Sequence, residues 1–109
     1  MSSKVNVRSI PVLDGKATAQ GIEASWKGPH PGQWVAIVTA KGCVACGAFD
    51  VRLMSDHEQV LAVAHGSLEH HLITCEDLLE AKISEVTKLA SELGVKEGMT
   101  GKEAVEKLS

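Results

Sequence analysis

The stretch WVAIVTAKGCVACGAFD, residues 34–50, predicts a β-hairpin that leads into a helix. Residues 34–40 are almost continuously apolar, which is typical of a strand buried on both faces of a sheet. Lys41-Gly42 is a short turn signal, and CVACGA, residues 43–48, has the small apolar residues of a returning strand. Asp50 is a favourable N-cap, so a short helix is expected to follow it.

The N-terminal side of this stretch predicts two further strands. VNVRSIPVL, residues 5–13, alternates apolar and polar residues and precedes Asp14-Gly15, a strong turn pair. ATAQGIEASW, residues 17–26, is the expected second strand, although Gly21 weakens it. GPHPGQ, residues 28–33, holds two prolines and two glycines and is expected to be a loop.

The C-terminal side predicts one more strand and then helices. VLAVAHG, residues 60–66, is an apolar run that ends at a glycine. From Thr74 to Gly94 apolar residues recur at helical spacing, with a capping box at the start, a C′ glycine at the end and a break near Ala81-Lys82. A second capping box at residues 100–103 predicts a last short helix.

This order of elements predicts an α+β fold. N-terminal antiparallel strands and a hairpin are followed by a short helix, a further strand, and two or three C-terminal helices packed on the sheet. A chain of 109 residues fits one domain spanning residues 1–109.

Composition excludes several classes of function. Hydrophobic residues make up 44% of the chain and charged residues 23%, which is typical of a globular protein rather than a disordered one. The net charge is −3 and no basic block is present, so neither nucleic acid nor an anionic membrane is an expected partner. No apolar signal segment is evident, and three cysteines, an odd number, indicate reduced thiols in a cytoplasmic protein.

Two stretches of the chain resemble the YunC-like family, small bacterial and archaeal proteins with a domain of unknown function. They are GCVACGAFDV, residues 42–51, and LLEAKISEVTKLASELGVKEGMTGKEAVEKL, residues 78–108. The resemblance implies a compact α+β fold and brings no established activity, cofactor or substrate. The family carries the cysteine that matches Cys46, whereas an aromatic residue is usual at the position of Cys43, so a shared chemistry would rest on Cys46 alone.

The Cys43-Val44-Ala45-Cys46 motif has two opposed interpretations. Two cysteines three apart chelate a metal or form a redox pair when the backbone bends so that both sulfurs reach one point. In an extended strand they point to opposite faces, and this context is strand-like. A mixed metal site would need Cys75 or a histidine from His65, His70 or His71, all distant in sequence. Little or no bound metal is therefore expected, and no cofactor is indicated.

Cys46 by itself is the leading candidate for a functional residue. At a strand-to-helix junction the backbone N–H groups and the helix dipole would stabilise its thiolate, and Gly47 would permit a sharp turn or close ligand approach. The alternative is a buried, unreactive thiol, because free cysteine is among the most buried residue types. Asp50 could supply a catalytic carboxylate or simply cap the helix. His65 could supply a base to Cys46 or play a structural role.

Three hypotheses of function therefore remain open. The first is a small-molecule or thiol-chemistry site with Cys46, Asp50 and His65 as catalytic candidates and Gly47 at the ligand. The second is a non-enzymatic domain that forms a homo-oligomer or binds a protein, since few helices are available to cover the sheet. The third is a metal-binding protein that uses Cys43 and Cys46 with Cys75 or a histidine.

Overall fold

The computed structural model describes residues 3–67 and 69–109, and these form a six-stranded mixed sheet with four short helices. The strands lie in chain order across the sheet. They are β1 (Ser3–Val12), β2 (Ala17–Trp26), β3 (Gly32–Val38), β4 (Cys43–Cys46), β5 (Leu61–Ala64) and β6 (Ile83–Val86). The helices are α1 (Val51–Asp56), α2 (Cys75–Glu80), α3 (Lys88–Glu92) and α4 (Gly101–Lys107). The α+β class is confirmed.

The N-terminal hairpin forms as the sequence predicts. β1 pairs antiparallel with β2 in continuous register from Ser3 opposite Trp26 to Val12 opposite Ala17. The chain reverses through Leu13, Asp14 and Gly15, which all adopt positive φ angles, and the Gly15 N–H donates to the Val12 carbonyl at 3.1 Å. The Asp-Gly pair suits this turn because these residues tolerate the left-handed region.

The central hairpin and the unit that follows it position the candidate site. β3 pairs antiparallel with β4, and the Thr39 N–H donates to the Gly42 carbonyl at 2.8 Å to close the predicted turn. β4 runs parallel to β5, from Cys43 opposite Leu61 to Cys46 opposite Ala64, with α1 as the crossover. The carboxyl ends of these two strands therefore lie side by side.

The C-terminal segment keeps its predicted caps but contains a strand that the sequence pattern did not indicate. Thr74 and Thr100 both form capping boxes, and Gly94 has a positive φ of 97°. The chain leaves the helical conformation at Ala81, as expected, yet Ile83–Val86 then form β6 against β5. The prediction of helix over these residues is wrong. Ile83 and Val86 lie three apart, as on a helix face, but a register shift in the β5–β6 ladder pairs them with Ala64 and Ala62 and so gives them a common face in the strand.

Helices on the two faces of the sheet create two apolar clusters. α2 and α4 pack on one face, named here the α2–α4 face, and enclose the main core, which includes Val35, Ile37, Val44, Cys46, Leu78, Val105 and Leu108. α1 packs on the other face, where Ala36, Ala45, Leu61 and Val63 form a smaller cluster. Within residues 3–67 and 69–109, no helix combines the length and apolarity needed to cross a bilayer.

Candidate functional site

The candidate site lies where β4 and β5 end. Cys46 and Ala64 form the last pair of the parallel ladder, and Gly47 and His65 follow them. A Cβ atom at Gly47 would lie only 2.8 Å from Cδ2 of the His65 imidazole, closer than carbon atoms approach without displacement. The missing side chain at position 47 therefore allows the imidazole to rest on the backbone at the end of β4. The sequence predicted a close approach at Gly47, and His65 is the neighbour that makes it.

The carboxylate of Glu85, in β6, contacts this imidazole. Nε2 of His65 lies 3.2 Å from Oε2 of Glu85, which pairs with Val63 across the β5–β6 ladder. Both side chains are about half exposed. Sequence reasoning missed Glu85 because it placed residues 83–86 in a helix. The available signal was the β-branched, partly alternating segment Ile-Ser-Glu-Val.

A cleft of about 370 Å³ opens beside His65, and its surface is about equally polar and apolar. The size falls within the range of small-molecule sites, about 300–1,000 Å³. Leu72 supplies an apolar patch and also packs against the main core. The polar and charged side chains around the cleft are His65, Ser67, His70, His71, Asp77, Glu80 and Lys82. His70 and His71 are exposed, as their polar sequence context predicts.

Asp77 brings a fixed negative charge to this cleft. Its carboxylate accepts hydrogen bonds from the Thr74 N–H at 3.0 Å and the Ile73 N–H at 3.1 Å. These backbone donors hold the pKa of Asp77 below its usual range, since they stabilise the ionised form. The same carboxylate completes the capping box of α2, so the helix start and the cleft depend on one side chain.

The sequence pattern indicates Cys46 as a candidate thiolate stabilised by a helix N-terminus, and its position in the structure is different. Its side chain is 7% exposed and belongs to the main core, where Sγ accepts the Val35 N–H at 3.5 Å. α1 begins at Val51, so residues 47–50 separate it from the thiol. Asp50 acts as the predicted N-cap and accepts the Leu53 N–H at 3.0 Å. The fold thus brings Gly47 and His65 together, whereas it leaves Cys46 in the core and Asp50 on α1.

The other two cysteines lie in separate surroundings. Cys43 packs beside the smaller cluster under α1, on the opposite face of the sheet from Cys46, as an extended strand requires. Burial raises the pKa of the Cys43 thiol to about 11 and that of the Cys75 thiol to about 11. Among the described residues, no three His, Cys, Asp or Glu side chains converge in a group that could hold a metal ion.

A second polar cluster joins the N-terminal hairpin to α2. Glu23 accepts the backbone N–H of Cys75 at 2.7 Å, and this contact is the main reason that the pKa of Glu23 is lowered. Arg8 pairs with Glu23 at 3.4 Å and also with Glu76. No local pattern in the sequence indicates this cluster, because its members come from β1, β2 and α2. Its role is structural, since it fastens the start of α2 to the sheet.

Comparisons with known proteins identify relatives but no activity. Residues 45–108 match the family described as Domain of unknown function (DUF1805). Over 75 residues, 69% of this chain and 73% of the relative, the sequence is 33% identical to the uncharacterized protein YunC of Bacillus subtilis (strain 168). The fold is similar to that of a protein of unknown function, TA1206, from Thermoplasma acidophilum. The TM-score is 0.83 at 19% identity, covering 100% of this chain and 97% of that one.

The segment that matches the family covers only part of the molecule. It begins at Ala45, so it contains Cys46, Gly47, His65 and Glu85, while the β1–β2 hairpin lies outside it. The likeness in structure, at 19% identity, shows the fold alone.

Proposed function

As this chain belongs to the family of the DUF1805 domain of unknown function, which supplies no activity, we propose from the geometry that it binds a small polar molecule in the cleft beside His65. The family membership confirms the YunC-like resemblance seen in the sequence. The cleft lies at the carboxyl ends of the parallel strands β4 and β5, and in open sheets with parallel strands this end is where ligands bind.

One observation carries the proposal. His65 rests on Gly47 and contacts Glu85, so a half-exposed imidazole is fixed at the rim of a cleft of ligand size. A carboxylate partner orients the imidazole ring. Such an imidazole can donate a hydrogen bond to a ligand or transfer a proton to or from it. Lys82 and Glu80, at the same cleft, offer both signs of charge to polar groups of the ligand.

The cleft is tested by NMR with a panel of small carboxylates, phosphates and amino acids. We expect at least one class to shift the backbone amides of Gly47, Gly66 and Lys82, and His65→Ala to weaken that binding about tenfold or more. His30→Ala is the matched control, because His30 is an exposed loop residue remote in sequence from the cleft residues. Binding that centres elsewhere, or that His65→Ala leaves unchanged, would contradict the proposal.

Thiol chemistry at Cys46 stays a prediction with its own test. Burial raises the pKa of the Cys43 and Cys75 thiols and so disfavours their thiolates, which leaves Cys46 as the candidate for a reactive thiol. We expect Cys46 to be alkylated by iodoacetamide faster than the other two, and Cys46→Ser to remove that phase while Cys43→Ser retains it. If Cys46 stays unmodified in the native protein, its role is packing in the core, and the cleft proposal is unaffected.

Two other expectations also belong to this proposal. A cytoplasmic, non-enzymatic homo-oligomer remains the alternative function, and the surface for it is derived below. Metal binding by Cys43 and Cys46 with Cys75 or a histidine is the least favoured alternative, because the two cysteines of the motif occupy opposite faces of the sheet. Metal analysis after zinc reconstitution tests it, and one equivalent per chain would revive it.

A further inference from the structure

One face of the sheet is covered by a helix over only part of its width. α1 lies over the smaller cluster of β4 and β5, while β1, β2 and β3 extend beyond it. Across these three strands the ladder aligns Val5 with Ala24 and Trp34, and Val7 with Ile22 and Ala36. We name this region the open face. Val5 is 68% exposed and Val7 is 63% exposed, and Trp26 and Val38 are also exposed.

The open face carries no charged residue among the described ladder positions, although the same strands hold charges on their other side. Lys4, Arg8 and Glu23 alternate with the open-face residues, so they project to the α2–α4 face. The ion pairs of Arg8 with Glu23 and Glu76 place Arg8 and Glu23 there directly. Polar but uncharged residues, Ser3, Ser9 and Gln20, border the apolar centre. An apolar patch with a polar border is the usual composition of an interface.

We propose that the open face is the interface of a homodimer in which two copies stack sheet on sheet about a twofold axis. A twofold contact sets one patch against an identical patch, so a chain with net charge −3 associates best through a surface without charges. The open face meets that condition. An acidic or basic partner would find no charge there to recognise.

The shape of the molecule supports a second copy as the occupant. Stacked sheets lie about 10 Å apart, and a helix is about 10–12 Å across with its side chains. α1 therefore stands about one sheet layer above the neighbouring open face, with Phe49 packed edge-on against Trp34, ring centroids 5.9 Å apart, at the border. In a twofold stack, the sheet of each copy fills the layer beside the α1 helix of the other. The surface is thus complementary to itself.

Pairing of two β1 edges is the competing arrangement, and charge disfavours it in the register centred on Asn6. β1 is a ten-residue edge strand, so its outer backbone groups could join those of a second copy. An antiparallel pair centred on Asn6 would set Lys4 of each copy opposite Arg8 of the other, and like charges directly opposite are destabilising. Face-to-face stacking leaves these side chains on the outside of the dimer.

The test is sedimentation equilibrium on the whole chain with two adjacent substitutions. We expect a dimer of about 23 kDa, twice the 11.5 kDa of one chain, at a protein concentration of about 100 μM. Val7→Lys should raise the dissociation constant at least about tenfold, because it buries an unpaired charge in the interface. Asn6→Lys adds the same charge to the next residue of the same strand, on the other face, and should change the constant less than about threefold.

The outcomes separate the possible occupants. A wild-type monomer at that concentration overturns the proposal, and the open face is then left for a different protein or a lipid surface. Equal weakening by Val7→Lys and Asn6→Lys also overturns it and points to edge pairing. Circular dichroism checks that both variants fold, and Val5→Lys, at a second exposed open-face position, replaces Val7→Lys if that variant does not fold. His65→Ala should leave the dimer intact, so the result is independent of the cleft.

Discussion

The N-terminal hairpin and the β4–β5 unit are strands of the same sheet, yet their surroundings differ sharply. In β4 and β5, every residue except Cys43 is buried. In β1, Val12 alone is buried, and residues 3–9 are exposed. β1 is held by its ladder to β2, by the cluster around Glu23 and, in our proposal, by a second copy of the chain.

This difference separates the two proposed roles. Buried strands with fixed neighbours give a rigid end on which Gly47 and His65 can be positioned, and the family match includes the end of β4 and all of β5. Exposed strands contribute little to the core of one molecule and leave an apolar surface free for association. The comparison therefore predicts that equal substitutions will have unequal effects in the two regions.

The largest effect is expected from a matched pair of valine substitutions. Val63→Ala in β5 removes two methyl groups from a fully buried site and should lower the free energy of unfolding by about 2–3 kcal/mol. Val5→Ala in β1 should change it by less than about 0.5 kcal/mol. Urea denaturation below micromolar protein concentration measures both without dimerisation. Equal losses would show that the hairpin is buried within one molecule, and the comparison would fail.

Alkaline pH should lower the stability of the fold through two thiols, Cys43 in β4 and Cys75 at the start of α2, where it contacts Glu23 of the hairpin. The pKa of both Cys43 and Cys75 is raised to about 11, against about 8.5 in an unfolded chain. Between these values the unfolded chain has lost protons that the folded one retains, so the free energy of unfolding falls as pH rises from about 9 to 11. We expect Cys75 to contribute about 2 kcal/mol of this loss.

Serine variants identify the responsible thiol. Urea denaturation at pH 8 and pH 10.5 should show a smaller alkaline loss for Cys75→Ser than for the wild type. Cys43→Ser should reduce the loss to a similar extent, since the pKa of its thiol is raised to the same value. If both variants keep the full alkaline loss, the two thiols do not cause it. The fall in the free energy of unfolding then comes from another titrating group.

A smaller effect is expected where the hairpin is fastened to α2. Glu23→Gln weakens a charge-assisted contact with the Cys75 N–H and should cost about 1 kcal/mol at pH 7. The pKa of Glu23 is lowered in the fold, so its contribution is present at neutral pH and disappears as pH falls below that value. The variant and the wild type should therefore converge near pH 2. Glu92→Gln, on an exposed position of α3, is the control and should match the wild type throughout.

The smallest effect on stability is expected at the cleft. Gly47→Ala forces the imidazole of His65 to move, and a half-exposed side chain can do so at a cost below about 1 kcal/mol. NMR signals of the His65 ring should shift clearly. In a His65→Ala background, the cost of alanine at position 47 should vanish, because the contact is gone. A cost that persists there would mean that Gly47 serves the turn after β4 rather than the imidazole.

Local signals in the sequence were sufficient for much of the framework. The turn at Asp14-Gly15, the hairpin through Lys41-Gly42, the Asp50 cap and the capping boxes at Thr74 and Thr100 all form as predicted. Each depends on residues within about four positions of one another, so the sequence contains the whole interaction. The YunC-like resemblance and the α+β class followed from the same segments.

The sequence identified only some residues of the candidate site. Gly47 and His65 were singled out, and the parallel pairing of β4 and β5 brings them together. Cys46 was also singled out, but the position of a thiol relative to a helix N-terminus depends on where that helix begins. Here α1 begins five residues later and the sheet directs the thiol into the core.

The amino-acid sequence by itself determined the turns, the caps, the fold class and the family, because neighbouring residues decide them. Only the tertiary structure decided that residues 83–86 form a strand, that Glu85 meets His65, and that Arg8 and Glu23 of the hairpin meet each other beside α2. Each of these contacts joins segments at least 15 residues apart in the chain. Such a contact exists only when the whole sheet is assembled, since register between distant strands fixes which side chains meet.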